Sequence, residues 1–424
     1  MNIEWKILMN SFKIPKIRFM NFNDKWKYII LSEISNSIEY GLNASAKNFD
    51  GIHKYLRITD IDESSRLFLT DKLSSPDVNF TEEDYENYKL KKNDLLFART
   101  GASVGKTYLY RESDGEVYYA GFLIRARLRD SFDGNFVFQQ TLTDKYKQFI
   151  EITSQRSGQP GVNGKEYGEW KIGMTSYHEQ SAIGSFFSTL DDLLASYKDN
   201  LANYQSLKVT MLSKMFPKAG QTVPEIRLDG FEGEWEVQTL KELASFSKGN
   251  GYTKNDLVNS GKEIILYGRL YTNYQTVISK VNTFVTTVKA NTVVSKGGEV
   301  IVPASGESAE DISRASVVEK SGVILGGDLN IIYPDENKVN SIFLALTISN
   351  GSQQKELIKR AQGKSVVHLR NNDLEKVVLH YPSMEEQQAI GSYFSNLDNL
   401  INSHQEKITQ LETLKKKLLQ DMFI

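Results

Sequence analysis

The residue types that could support catalysis are present, but their spacing does not fit any common reaction. Gly101-Ala102-Ser103-Val104-Gly105-Lys106-Thr107 has three residues between its glycines, whereas a phosphate-binding loop needs four for its N–H groups to wrap the phosphates. We expect instead a turn that places Lys106 on a surface. Pro334–Lys338 crowds Asp, Glu and Lys too closely to hold a metal ion between strands, so a solvated turn is expected there.

The remaining catalytic residue types give no pattern either. The five histidines are scattered without metal-ligand spacing, and cysteine is absent, which excludes disulfides and thiolate chemistry. No GxGxxG motif, no Asn-Pro-Pro-aromatic motif for amino methylation of a base and no nucleophile elbow is found. We therefore expect no catalytic residue, no metal and no cofactor in this chain.

Two pairs of polar, glycine-bearing loops recur in the two halves of the chain. Lys92–Gly101 corresponds to Gly297–Gly306, and each reads as a turn, a short buried strand and a glycine loop. Arg156–Asn163 corresponds to Arg360–Val367. Beyond these anchors the two halves hardly match, which favours two related domains that address different targets.

Long helices must position these loops. The segment from Glu179 to Phe216 returns from Glu386 to Phe423 without a gap, at an offset of about 207 residues. Apolar residues at alternating steps of four and three predict a coiled-coil seam. The seam residues are Ile183, Phe187, Leu190, Leu194, Tyr197, Leu201 and Tyr204 in the first copy, and Ile390, Phe394, Leu397, Ile401, His404, Ile408 and Leu411 in the second.

Neither helix can bury its stripe alone, and the chain must cross a globular domain between them. We therefore expect the two helices to pair antiparallel. Lys208 and Lys415 interrupt the stripe, and the neighbouring Leu207 and Leu414 are expected to cover the gap. The outer faces, with Asp191, Asp192, Asp398 and Asn399, are either solvated or bound to a partner.

The repeat also includes the segment before each domain. Ile14–Phe19 and Trp26 recur as Val223–Leu228 and Trp235, and we expect both tryptophans to be core residues rather than platforms for base stacking. The predicted organisation is a domain at 1–177, a helix at 178–218, a domain at 219–383 and a helix at 384–424. The fold class is α+β, with strands at Tyr118–Leu128, Glu263–Arg269, Asn291–Ser295 and Val323–Tyr333, and helices at Phe136–Ile152 and Ser341–Arg360.

Composition limits the function classes. The chain has 424 residues and a net charge of −2, which lacks the overall basic signature of a stand-alone DNA-binding protein. No apolar run is as long as a membrane span requires, and no secretory signal is evident, so we expect a cytoplasmic protein without membrane contact.

The duplicated architecture and the pattern Ala-Ile-Gly-x-Phe/Tyr-Phe-x-x-Leu-Asp after Glu179-Gln180 and Glu386-Gln387 resemble the specificity subunits of type I restriction-modification enzymes. The resemblance implies two tandem target recognition domains, each reading one half of a split sequence in double-stranded DNA. It also implies an antiparallel coiled coil with pseudo-two-fold symmetry that sets the half-site spacing.

The partners implied by the resemblance are two methyltransferase subunits and two restriction (motor) subunits. S-adenosylmethionine, ATP and Mg²⁺ would bind to these partners, and the assembled complex would be an adenine DNA methyltransferase and ATP-dependent endonuclease. This chain would be a non-catalytic subunit.

Under this interpretation the polar side chains on and near the glycine loops are the candidate DNA contacts. Arg and Lys suit guanine or phosphate, and Gln and Asn suit adenine. The candidates are Arg99, Lys106, Arg156, Gln159, Asn163 and Lys165 in the first domain, and Ser305, Arg314, Lys364, His368 and Arg370 in the second. The alternative reading is a coiled-coil scaffold for proteins that does not read DNA sequence, and a self-sufficient nuclease or NTPase is a third.

Overall fold

The chain folds into two compact units, unit 1 (Met1–Asp199 and Gln405–Ile424) and unit 2 (Asn200–His404). The structure is a computed structural model that describes residues 5–7 by their backbone, and residues 14–156, 158–363 and 366–424 in full. The expected linear segments 1–177, 178–218, 219–383 and 384–424 differ from these units, because each unit contains one globular domain and a part of both long helices.

Both long helices are present and have 38 residues each, at Tyr177–Lys214 and Met384–Asp421. At 1.5 Å per residue, each is about 57 Å long. The α+β class and the two tandem globular domains, each followed by a long helix, are confirmed.

Within unit 1 the two helical segments run antiparallel. Lys415 Nζ lies 2.5 Å from Asp191 Oδ1, and Lys198 Nζ lies 2.7 Å from Glu412 Oε1. Residue numbers rise along one segment while they fall along the other, which is the signature of antiparallel packing.

Unit 2 repeats this arrangement with its own segments of the two helices. Lys208 forms an ion pair with Asp398, and the rings of Tyr204 and His404 are 5.1 Å apart, edge to face. Lys208–Asp398 is the repeat equivalent of Lys415–Asp191, since the lysine and the aspartate are both shifted by the offset of the repeat.

These ion pairs correct two expectations about the helix surface. Leu207 and Leu414 do not cover the seam lysines, because they are 42% and 46% exposed. Instead, the lysines stay in the seam by pairing with Asp191 and Asp398, whose side chains are largely buried. These two aspartates therefore belong to the helix interface and are not free outer-face residues.

All of the predicted seam residues are buried or half-buried. Ile183, Phe187, Ile390 and Phe394 are the most completely buried. The seam is best covered near the start of each helix, where the globular domain of the same unit adds a further layer.

The globular domains are built on related antiparallel sheets. In unit 1 the order is Ser35–Tyr40, Leu123–Leu128, Asp94–Ala98, Thr107–Leu109. In unit 2 the order is Ala244–Lys248, Leu329–Pro334, Glu299–Pro303, Ser316–Val318, Val277–Ile278, where the last pair is parallel. The central strands Asp94–Ala98 and Glu299–Pro303 are fully buried and end at the predicted glycine loops.

The other strands of the described chain are short. In unit 1 they are Trp5–Ile7, Ile17–Phe19, Lys27–Ile30, Ala46–Asn48, Lys54–Leu56, Ser74–Pro76, Val117–Tyr119 and Lys171–Met174. In unit 2 they are Glu236–Thr239, Leu257–Val258, Lys262–Ile265, Phe284–Val285, Ser305–Gly306, Ile324–Leu325, Val367–His368 and Val378–Tyr381.

Short helices complete the domains. They are Leu31–Ile34, Gly134–Gln140, Asp144–Thr153 and Gly164–Gly168 in unit 1, and Leu240–Leu243, Arg269–Thr272, Ala309–Ile312, Ser341–Ile348, Gly351–Arg360 and Asn371–Leu374 in unit 2.

Each of the two predicted domain helices is divided in two. The side chain of Thr143 accepts a hydrogen bond from Tyr146 N and starts a new helix inside the predicted Phe136–Ile152. Gly351, with a φ of +67°, interrupts the predicted Ser341–Arg360. The predicted strand Asn291–Ser295 is reduced to one isolated bridge at Val294.

Four aromatic rings form the same cluster in each unit, which we call the aromatic quartet. It consists of Trp26, Phe136, Phe187 and Phe423 in unit 1, and of Trp235, Phe343, Phe394 and Phe216 in unit 2. Trp26 and Trp235 are buried and are core residues, as expected. Phe423 follows the second long helix and packs in the quartet of unit 1, whereas Phe216 follows the first long helix and packs in the quartet of unit 2. Each domain core therefore includes one ring from the other repeat.

Candidate nucleic-acid interface

In unit 1 the two predicted polar loops are joined by backbone hydrogen bonds. Val162 N donates to Arg99 O at 2.9 Å, and Gly101 N donates to Pro160 O at 3.0 Å. Gly101 has a φ of +77°, and a Cβ there would lie 3.0 Å from Gln159 Nε2. We call residues 99–106 and the described residues of 155–165 the first loop pair. It brings Arg99, Gln159 and Asn163 together at the end of the inner strand Asp94–Ala98.

Arg99 stands at the start of the first loop. Its guanidinium carbon is 5.2 Å from the ring centroid of Tyr40 and 5.7 Å from that of Phe122. Its Nε is buried without a hydrogen-bond partner. Tyr40 in turn accepts a hydrogen bond from Gly164 N at 3.1 Å, which links this site to the second loop.

Lys106 is not on an open surface as expected. Its side chain is 10% exposed, and its ammonium group donates to Ile61 O at 3.0 Å and lies 2.8 Å from Glu63. The hydrogen bond from Lys106 lowers the pKa of Glu63. Lys106 is thus engaged by residues 61–63 and is less available for DNA than its loop position suggested.

The candidates on the second loop are exposed, but two of them already have partners. Arg156 pairs with Glu166 and donates to Thr153 O and Gln155 O, at 3.0 and 2.9 Å. The Asn163 side chain accepts a hydrogen bond from Glu166 N and so caps the helix Gly164–Gly168. Gln159 and Lys165 are exposed as well.

Unit 2 joins its two loops in the same way. Leu369 N donates to Ala304 O at 3.0 Å, and Ser305–Gly306 pairs antiparallel with Val367–His368. We call residues 304–308 and the described residues of 360–370 the second loop pair. Ser305 is buried because it lies within this pairing, so an open contact with DNA, as expected for it, is disfavoured.

The other candidates of unit 2 are not all brought together. His368 and Arg370 are exposed at the second loop pair. Arg314 lies elsewhere, with its guanidinium 5.7 Å from the Tyr274 ring centroid. Lys364 lies outside the described residues.

The two loop pairs carry their cations at different positions. Arg99 has Ala304 as its counterpart at the end of the matching strand. Conversely, Asn163 and Arg370 both precede equivalent short helices and hold the same position in the repeat. This corrects the expected correspondence of Asn163 with Val367, because the second loop of unit 2 is three residues longer than that correspondence assumed. The backbone of the loop pair is therefore repeated in the two units, whereas the side chains on it differ.

The Glu-Gln pair that begins the repeated helical motif is a joint between helix and domain. Glu179 receives two hydrogen bonds from Arg18, at 2.5 and 2.6 Å, and Glu386 receives two from Arg227, at 2.7 and 2.6 Å. The following glutamines bind the domains, since Gln180 accepts from Asp133 N.

Sequence reasoning found both repeated segments but missed that they contact each other. A signal was available, because an arginine before each domain and a glutamate after it recur together with opposite charges.

The helices also expose matched apolar residues. Leu193 and Leu414 are exposed in unit 1, and so are their repeat equivalents in unit 2, Leu400 and Leu207. Each of these leucines lies one residue before a seam position. In an antiparallel pair of helices, Leu193 and Leu414 therefore lie beside the same part of the seam in unit 1, as do Leu207 and Leu400 in unit 2. We call them the flank leucines.

Two features are absent from the described residues. Within residues 5–7, 14–156, 158–363 and 366–424, no group of three or more His, Cys, Asp or Glu side chains is arranged to hold a metal ion. In the same part of the chain, no helix combines the length and apolar character needed to cross a bilayer.

The sequence and the architecture of this chain are similar to those of known proteins. The model of the type I restriction modification DNA specificity domain matches twice, at residues 23–203 and 232–413. The chain is 20% identical over 385 residues to the type I restriction enzyme MjaVIII specificity subunit of Methanocaldococcus jannaschii, covering 88% of this chain and 85% of that one. It shares its fold with the crystal structure of the type I restriction-modification system S subunit from M. genitalium, at a TM-score of 0.64 and 15% identity, covering 97% and 99% of the two chains.

Proposed function

The chain belongs to the type I restriction-modification DNA specificity family, and from this premise we propose that it reads a bipartite target in double-stranded DNA. Each loop pair contacts one half-site. The observation that carries the proposal is the exchange between the two loop pairs, in which Arg99 and Asn163 stand where the other unit has Ala304 and Arg370. Two loop pairs with a similar backbone and different side chains are suited to binding two different base sequences.

The long helices would hold the two half-sites at a fixed separation. Each is a continuous helix of 38 residues. Within each unit, the Arg-Glu joint and the aromatic quartet fix the helix ends in the globular domain, which supports this proposal. Half-site spacing would then follow from helix length.

We further propose that this chain is non-catalytic and scaffolds two methyltransferase subunits and two restriction subunits in the cytoplasm. The flank leucines support two equivalent docking positions, because the same apolar pair recurs in both units. S-adenosylmethionine, ATP and Mg²⁺ would be bound by the partners. The assembled complex would methylate adenine and cleave DNA in an ATP-dependent reaction.

An exchange of the first domain tests the reading function. Residues 27–177 are replaced by those of another family member, and methylated sites are mapped genome-wide in cells that carry the partner subunits. We expect one half-site to change while the other half-site and the spacing stay the same. A change in both half-sites would contradict separate reading by the two domains.

A binding experiment separates this function from the alternative of a scaffold without DNA reading. The purified complex with its methyltransferase partner is mixed with random duplexes and with duplexes that carry the mapped site. Equal affinity for both would favour the scaffold.

A further inference from the structure

Arg99 has unused hydrogen-bonding capacity. Lys106 and Arg156, the other cations of the first loop pair that have partners, donate to carboxylates and backbone carbonyls. In contrast, the guanidinium of Arg99 makes no hydrogen bond or ion pair within the described part of the chain, and its Nε is buried and unpaired. The two terminal Nη groups also have no partner among the described residues and are not buried, so they are the donors that a ligand can reach.

The backbone and two aromatic rings hold Arg99 in place. Arg99 N donates to Phe122 O at 3.1 Å, and Arg99 O accepts from Val162 N at 2.9 Å. The rings of Tyr40 and Phe122 are close enough to attract the guanidinium by cation–π interaction. A guanidinium fixed in this way loses little conformational entropy when it binds a ligand.

Arg99 lines a groove of about 490 Å³ in unit 1, together with Phe122, Arg57, Thr59 and Asn43. Arg57, the second arginine of the groove, is neutralised by Asp60 through two hydrogen bonds of 2.8 Å. Phe122 is 62% exposed, which is unusual for a large aromatic side chain. The groove thus presents one unneutralised fork of donors beside one exposed ring.

The fork matches two adjacent acceptors, which are offered by the O6 and N7 atoms of guanine or by two phosphate oxygens. The exposed Phe122 ring decides between them, because an apolar ring suits a base edge or a thymine methyl group and not a charged phosphate. We propose that Arg99 is a specificity-determining residue that reads a guanine in the half-site of unit 1, with Phe122 contacting the neighbouring base.

This inference rests on the proposed DNA-reading function and narrows it. Ala304 occupies the corresponding position of unit 2 and has no side-chain donor. The guanine requirement is therefore confined to one position in one half-site.

Arg99→Ala tests the inference in the complex with the methyltransferase partner. Methylation is measured on duplexes in which each position of both half-sites is varied. We expect one guanine of the unit 1 half-site to become interchangeable, with a loss of about 5- to 150-fold in preference at that position. The half-site of unit 2 is the internal control and keeps its preferences, and retained preferences at the other positions of the unit 1 half-site show that unit 1 is folded.

Arg99→Gln provides a second reading of the same position. An amide side chain matches the N6 and N7 atoms of adenine, so the preference at this one position is expected to move from guanine towards adenine. Arg129→Ala, which alters an exposed arginine of unit 1 outside the loop pair, is the matched control and should leave the guanine preference unchanged.

Two results would overturn the inference. A uniform loss of methylation on all duplexes, with every base preference kept, would assign Arg99 to a phosphate. Unchanged preferences and rates would make it a structural residue. Failure of the proposed function itself looks different, because the unsubstituted complex would then show no base preference in either half-site.

Discussion

Replacing Glu179 by glutamine should destabilise unit 1 selectively. Arg18 and Glu179 are 1% and 0% exposed and share two short hydrogen bonds. Removing one charge leaves the other buried without compensation, which typically costs about 3–5 kcal/mol. The predicted loss is large compared with the total stability of a domain.

Hydrogen exchange of the two central sheets measures this loss in each unit separately. At about 1.4 kcal/mol per factor of ten, we expect the amides of strand Asp94–Ala98 to exchange roughly 100- to 4,000-fold faster. Those of strand Glu299–Pro303 should change little, because they lie in unit 2.

The repeat offers a matched control. Glu386→Gln should accelerate exchange in unit 2 instead, by a smaller factor, since Arg227 is 15% exposed and partly hydrated. The double variant Arg18→Met/Glu179→Leu removes both charges and should recover most of the stability, because an apolar pair of similar volume is often as stable as a buried ion pair. Acceleration of less than fivefold by Glu179→Gln, or equal acceleration in both units, would refute the reasoning.

Four further predictions concern other parts of the frame. Phe423→Ala should lower the free energy of unfolding of unit 1 by roughly 3 kcal/mol, because it opens a cavity in the aromatic quartet, and Phe216→Ala should do the same in unit 2. The same exchange experiment measures both, and a loss of stability in the unaltered unit would contradict the prediction. Burial lowers the pKa of His380, so its contribution to the stability of unit 2 is present above the unfolded pKa of about 6.5 and is lost as the pH falls. In urea titrations, the free energy of unfolding should therefore fall more between pH 7.5 and pH 5 in the unsubstituted protein than in His380→Gln. Leu193→Ser combined with Leu414→Ser should reduce the methyltransferase subunits bound per chain from two to one in native mass spectrometry, and unaltered stoichiometry would disprove docking at the flank leucines. A four-residue insertion in either long helix, about one turn, should alter the preferred half-site spacing in methylation maps but leave both half-site sequences intact; retention of the original spacing would rule out a ruler.

The helices could be predicted from sequence because their pattern is local. A seam at steps of four and three over many turns is hard to mistake, and both observed helices have the expected length. The contact between the two polar loops of each domain was not predicted directly.

Features that depend on distant segments could not be predicted. Nothing near Lys106 indicates that residues 61–63 capture its side chain, and nothing near Ser305 indicates its pairing with His368. The seam lysines also seemed to need a hydrophobic cover, because their aspartate partners lie 190 and 224 residues away in sequence. Long-range electrostatic partners leave no trace in a local hydrophobic pattern.

The completion of unit 1 by Phe423 has a consequence for synthesis on the ribosome. Unit 1 lacks its segment Gln405–Ile424 until the whole of unit 2, Asn200–His404, has been made. At about 5–20 residues per second this takes roughly 10 to 40 s. During that interval Phe423 does not yet cover the rings of Trp26, Phe136 and Phe187. The domain that is translated first is therefore the last to complete its core, and we expect chaperones to shield the exposed rings of the nascent chain at this stage.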